Sequence, residues 1–359
     1  MARIGVNALY LIPGGVGGTE IYLRELLAAL ARVDTANEYF VFTNRETGAD
    51  LVPRLANFHC KPQAVHASFR PGRILWEQIA LPLEATHYRL DVMFNPGFTV
   101  PLLASCPLVT VFHDLQHKRH PEHFRWFDLP FWRLLLWASA HRSQRLIADS
   151  ESTHADLLHY YRLSGKRIDV IPLGVGQRFF SLGRTHIESY VLCVSTLHPH
   201  KNLDRLIRVY GRRKHRFRLV LAGMRGFDAR SLERLIAELG LADSVRLTGW
   251  IAREELYRLY ERALAFIYPS TFEGFGMPVL EAMAAGIPTA CSDIPPLREV
   301  AGESALFFDP LNEDAIGAAL ESITTDSTVR GRLAEAGPVR ARGFTWEKAA
   351  IATLHTFDL

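Results

Sequence analysis

Strand-like and helix-like segments alternate along almost the whole chain, and the series starts twice. The apolar, β-rich runs RIGVNALYLI, EYFVFTN, LDVMFNP, PLVTVFHD, RLIADS and RIDVIPLG are separated by helix-length stretches. One of these, TEIYLRELLAALARV, brings back Ile21, Leu23, Leu26, Leu27 and Leu30 at helical spacing. A second series begins near residue 188 and runs through SYVLCVST, FRLVLAG, SVRLTGW, LAFIYPS, PTACSD and SALFFDP. Such alternation predicts parallel sheets covered by helices, hence two α/β domains joined near DVIPLGVGQRFF. The length of 359 residues agrees, being more than one hydrophobic core usually serves. The closing stretch FTWEKAAIATLHTF is amphipathic and fits against either domain.

Apolar residues at 48% and charged residues at 22% describe an ordinary folded, water-soluble chain. A net charge of +3 gives no call for nucleic acid, though it favours anionic ligands or an anionic membrane surface. Cys60, Cys106, Cys193 and Cys291 lie far apart without a CxxC pair, the usage expected of a reducing cytoplasm. The N-terminal run is interrupted by Asn7 and lacks a small-residue cleavage site, so it reads as a first strand rather than a signal peptide. No stretch approaches the roughly 20 apolar residues that span a bilayer; membrane contact is at most peripheral.

Open parallel sheets bind ligands beyond the carboxyl ends of their strands, so the informative residues belong on strand-to-helix loops. IPGGVGGTE offers Gly14, Gly15, Gly17 and Gly18 before a helix, a place where backbone can approach a phosphate. It does not fit a dinucleotide-binding register. In STLHPHKN, Lys201 follows a strand by a short loop, and Pro199 and Asn202 suit a turn that aims it at a diphosphate. EGFGMPVLEAMAAG is the most specific element: Gly274 and Gly276 free the backbone, Pro278 suits a first helical turn, and Val279 to Ala285 are helix formers. Glu273 precedes that helix and Glu281 lies about one turn inside it, so the two acids reach different parts of one extended ligand. A pair of salt-bridged surface glutamates is the plainer alternative.

HDLQHKRHPEHF gathers His113, Asp114, His117, His120, Glu122 and His123. Their spacing would suit metal ligands on one helical face, but the preceding strand and Pro121 argue against such a face. No DxD pair occurs to chelate a cation on a sugar diphosphate. The expectation is therefore no metal and no cofactor.

Taken together, GGVGGTE, HD, ADSEST, VIPLGV, STLHPHKN, LAG, LTGW, EGFGMPVLEAMAAGIP and FTWEKAA resemble a family 4 retaining glycosyltransferase of the GT-B fold, nearly end to end. The resemblance implies an α/β fold with two Rossmann-like parallel-sheet domains facing a central cleft. Residues 1–180 form the acceptor-side domain, 181–343 the nucleotide-sugar donor domain, and 344–359 a helix returning to the first. It implies transfer of a sugar, mannose favoured and GDP-mannose a candidate donor, from a nucleotide diphosphate sugar to a glycan or lipid-linked acceptor in surface polysaccharide assembly. Glu273 then binds donor sugar hydroxyls near the backbone of Phe275, Gly276 and Met277. Glu281 holds the ribose, and Lys201 binds the diphosphate with Gly15 and Gly17 closing from the other domain. His113 sits beside the reacting sugar, and Gly249 and Trp250 lie near the base. Thr196 stands where many members carry arginine, which leaves more of the leaving-group charge to Lys201 and the helix N-terminus.

Retention without a covalent intermediate requires attack from the leaving group's own face, with the departing phosphate taking the acceptor's proton. One carboxylate at the sugar hydroxyls suits this better than the paired acids of a hydrolase, so Glu273 is not assigned as nucleophile. A nucleotide-sugar epimerase of the same architecture and a non-catalytic nucleotide-sugar binder are the alternatives; a need for an acceptor, or release of free epimer, separates them. Residues 118–142, KRHPEHFRWFDLPFWRLLLWASAHR, mix basic and aromatic side chains that suit a lipid-linked acceptor at the inner face of the cell membrane, or plain helix packing.

Overall fold

The computed structural model describes residues 1–15, 17–212, 216–226 and 228–358. The chain divides into two compact units, Met1–Gly174 with Thr345–Leu359, and Val175–Phe344. The first holds seven strands: β1 (Arg3–Asn7), β2 (Glu38–Thr43), β3 (Phe58–Pro62), β4 (Val92–Asn95), β5 (Leu108–Phe112), β6 (Arg145–Ala148) and β7 (Ile168–Val170). They lie in the order β3-β2-β1-β4-β5-β6-β7, every neighbour parallel. The second holds β8 (Glu188–Val194), β9 (Arg218–Ala222), β10 (Val245–Gly249), β11 (Ala263–Tyr268), β12 (Thr289–Ser292) and β13 (Leu306–Phe308) in the order β10-β9-β8-β11-β12-β13, again parallel throughout. Both sheets are therefore Rossmann-like, and each reverses its strand order once, between β1 and β4 and between β8 and β11. Ligand sites of such sheets belong at the carboxyl ends there.

The strands read as continuous apolar runs because helices cover both faces; Leu108–Phe112 is buried at every position. The helix Gly18–Val33 buries Tyr22, Leu23, Leu26, Leu27, Ala29 and Leu30. Each leucine so placed contributes about 1.5–3 kcal/mol of transfer free energy. Two departures from the sequence reading have local causes. The strand expected over 3–12 stops at Asn7, whose side-chain oxygen accepts from the Leu9 N–H (3.3 Å) and turns the chain. FHCKP, too polar to stand out, forms β3 at the sheet edge, where only β2 pairs with it.

The last helix, Trp346–His355, starts at Thr345, whose hydroxyl caps the Lys348 N–H (3.2 Å). It packs in the first unit, with Trp346 edge-on to Tyr22, Glu347 paired to Arg32 at 2.6 Å, and Phe357 edge-on to Phe94. Gly174 is required beside it, since a Cβ there would lie 2.2 Å from the Trp346 nitrogen. Among the described residues no helix is long and apolar enough to cross a membrane.

Candidate active site

In the second unit the loops that follow β8 and β11, the two strands at the switch point, are tied together. Asn202 sits at φ 57°, and its amide donates to the carbonyls of Pro269 (3.1 Å) and Pro310 (2.8 Å). The His200 carbonyl accepts from the Thr271 N–H (2.8 Å) and the Ser270 hydroxyl (3.1 Å). The loop after β9 closes on the first: a Cβ on Gly223 would lie 2.0 Å from the Ser195 carbonyl oxygen. This scaffold sets Lys201 against Glu273, Nζ to Oε1 2.6 Å, and Lys201 also donates to the Tyr268 hydroxyl at 3.1 Å. The Lys201 and Glu273 side chains are only 13% and 11% exposed. Glu273 is therefore ion-paired, but in a largely buried site rather than on the surface.

Glu281 lies in the helix Met277–Ala284, entered through Gly276 at φ 112° with Pro278 in the first turn. A Cβ on Gly276 would come within 2.4 Å of Leu297. Glu281 is buried and its Oε2 accepts from the Tyr260 hydroxyl at 2.8 Å. Burial first, and then the Glu281 carboxylate, push the Tyr260 phenol well above its ordinary range. Tyr268 is pushed up by burial and then by Glu273, Cys193 and Glu281, so both acids and both phenols share one polar cluster. The Cys193 thiol, pushed up to about 12 chiefly by burial, stays protonated there. Phe275 packs its ring toward Phe344, Thr196 shapes the turn by accepting the His198 N–H (2.8 Å), and Trp250 projects into solvent after Gly249 at φ 69°.

In the first unit, the Gly15 N–H donates to the Ile12 carbonyl (2.8 Å), and Gly17 at φ 62° caps the helix Gly18–Val33. His113 follows β5 and is buried. Its Nδ1 lies 2.6 Å from Asp149 Oδ2 and its Nε2 3.0 Å from the Pro96 carbonyl oxygen. A carboxylate and a carbonyl only accept, so both ring nitrogens donate and the ring is an imidazolium. Burial opposes that charge, but Asp149, by Coulomb attraction and hydrogen bonding, outweighs it and raises the pKa of His113. His117 turns inward to the Tyr161 hydroxyl (2.8 Å), and burial lowers its pKa to about 4. His120, Glu122 and His123 bring ligand atoms within 4.8 Å of one another, and His120 already bonds Glu122 at 2.9 Å. The acid and histidine run is thus split three ways, with Pro121 opening a separate 3-10 turn.

Residues 16–177 match the family described as Glycosyltransferase Family 4, and residues 177–340 that described as Glycosyl transferases group 1. The chain belongs to this two-part glycosyltransferase family. The transferase is 28% identical to O-antigen chain mannosyltransferase B of Escherichia coli, over 94% of this chain and 95% of that one. Its fold is that of GT-B glycosyltransferases. The sucrose-phosphate synthase of Thermosynechococcus elongatus superposes with TM-score 0.82 at 22% identity, covering 100% of this chain and 98% of the other. HepE of Anabaena, solved with UDP and glucose, superposes with TM-score 0.77 at 18% identity, covering 100% of both chains.

Tyr260, Tyr268 and Asp149 escaped the sequence reading. A carboxylate at the carboxyl end of β6, beside the strand that carries His113, was the available signal for Asp149; the two tyrosines read as core aromatics. In the transferase, Asp149→Asn removes one partner of a buried ion pair, so a loss of about 3–5 kcal/mol is expected near pH 6. Because the folded pKa of His113 is raised, the pair's contribution is complete below the unfolded value of 6.5 and lost as pH rises through the folded value. Denaturant unfolding of both proteins across pH should show the gap shrinking on the alkaline side; a constant gap contradicts the imidazolium.

Proposed function

We propose that this glycosyltransferase moves a hexose, mannose favoured, from a nucleoside diphosphate sugar such as GDP-mannose to a glycan or lipid-linked acceptor of surface polysaccharide synthesis, with retention and without a metal ion. The observation that carries the reading is the buried Lys201–Glu273 pair at the β8/β11 switch point, with Glu281 in the same cluster. Donor binding replaces the pair: Lys201 exchanges the carboxylate for the charged diphosphate, and Glu273 exchanges the ammonium for hydrogen bonds from the neutral sugar hydroxyls. Glu281, whose Oε2 accepts from Tyr260, is the acid we assign to the ribose. Charge that builds on the departing diphosphate is then met by Lys201 and by the start of the helix Met277–Ala284. A single acid near the sugar suits same-face attack better than a double displacement through a carboxylate. His113, with both nitrogens protonated and donating to Asp149 and the Pro96 carbonyl, is not a base in this reading. The mannosyltransferase relative and the HepE complex with UDP and glucose support this class of donor. Phe131, Leu134 and Trp137 are exposed on the helix Leu129–Arg142, and we assign that face to peripheral contact with the inner membrane surface, where a lipid-linked acceptor resides.

The test is NMR analysis of the product formed in excess EDTA. Turnover unaffected by the chelator, and a product with the donor's anomeric configuration, are expected. An inverted product, or activity lost and restored by one divalent ion, overturns the mechanism.

A further inference from the structure

Arg73, in the 18-residue helix Arg70–His87, is 7% exposed and makes no side-chain hydrogen bond or ion pair among the described residues; its Nε is fully enclosed. The nearest acid, Glu77, attracts it by charge but does not hydrogen-bond it. Glu77 Oε2 already accepts from the Asn7 amide (3.1 Å) and the Thr99 hydroxyl (2.9 Å), and Oε1 from Gln78 (3.3 Å). Burial raises the pKa of Glu77 although Arg73 and these hydrogen bonds oppose the shift, and this one carboxylate is shared among them. A second guanidinium, Arg70, lies close enough for the two to repel, stacked 3.9 Å over the Trp132 ring. Asn7 and Asn95 end β1 and β4 and bond to each other (3.2 Å), so this group stands at the switch point of the first sheet. Tyr10 lies beside Arg73, and its hydroxyl is spent on the Thr19 carbonyl (3.1 Å). An enclosed guanidinium with no hydrogen-bond acceptor is costly to keep, and a planar guanidinium at a helix start is matched by a phosphoryl group.

We propose that Arg73 and Arg70 form a phosphoryl-binding site for the acceptor, taking the phosphate or diphosphate that carries the growing glycan. This rests on the transferase reading above. Phe69, Trp126 and Phe127, exposed along the neighbouring segments, suit an acceptor whose phosphate bears an apolar chain.

The experiment is calorimetric titration of inorganic pyrophosphate, glucose 1-phosphate and farnesyl diphosphate into the full chain carrying Lys201→Ala, which weakens the donor's diphosphate site, and into Lys201→Ala/Arg73→Met. One pyrophosphate site should survive in the first protein and weaken about tenfold or more in the second. Tighter binding of farnesyl diphosphate than of pyrophosphate identifies a lipid-borne phosphate, and preference for glucose 1-phosphate a soluble one. Arg73→Met alone should melt no lower than wild type, since the guanidinium it removes has no hydrogen-bond acceptor and Glu77, its pKa already raised by burial, can take up a proton. A lower melting temperature, or pyrophosphate binding indifferent to Arg73, overturns the site while leaving the donor reading intact. GDP and UDP titrated alongside into wild type and Lys201→Ala test the donor reading separately: binding unchanged by that substitution would defeat it alone.

Discussion

Lys201→Ala is expected to lower kcat by about 10²–10³-fold, the scale seen when one preorganised group facing developing negative charge is removed. The structure adds a second consequence. Glu273 is 11% exposed and its one ion-pair partner among the described residues is Lys201, so the alanine variant strands a buried carboxylate. A fall in melting temperature should accompany the loss of turnover. Lys201→Ala/Glu273→Gln should regain stability without regaining activity, which separates the charge's catalytic part from its structural one. Unchanged kinetics in the single variant would mean that another cation meets the leaving group.

Glu273→Gln and Glu281→Gln are expected to fail in different parameters. Glu281 is fixed by Tyr260 and, in the proposed role, grips a part of the donor that does not react, so its loss should act mainly on KM. Hydrogen bonds to a charged acceptor are worth about 1.5–3 kcal/mol, which corresponds to a roughly ten- to hundredfold change. Glu273 is paired with Lys201 and, in the proposed role, orients the transferred sugar. A displacement of about 1 Å there costs on the order of 10² in rate, so kcat should fall most. Steady-state kinetics of both variants checks this, and equal losses in every parameter would contradict the division of roles.

The alternation of strands and helices was legible because a strand buried on both faces must be apolar, whatever packs against it. The edge strand Phe58–Pro62 was not, since half of it meets solvent and its residues carry no period. At the site, Lys201, Glu273 and Glu281 could be read locally: each stands at a strand end or a glycine-marked helix start. Their partners could not. Tyr268 is 67 residues from Lys201, and Asp149 is 36 from His113, and no local spacing encodes such a pairing. Arg73 in RPGRILW reads as a solvated arginine at a helix start; only the fold reveals that it is enclosed.

The donor site itself is tested most directly by calorimetric titration of free nucleoside diphosphates, GDP and UDP, into wild type, Glu273→Gln and Glu281→Gln. The diphosphate carries the ribose but no sugar. One of the two nucleotides should bind wild type at a single site in the second unit, bind Glu273→Gln nearly as well, and bind Glu281→Gln roughly ten- to hundredfold more weakly. Binding that is spoiled by Glu273→Gln and untouched by Glu281→Gln would contradict the account.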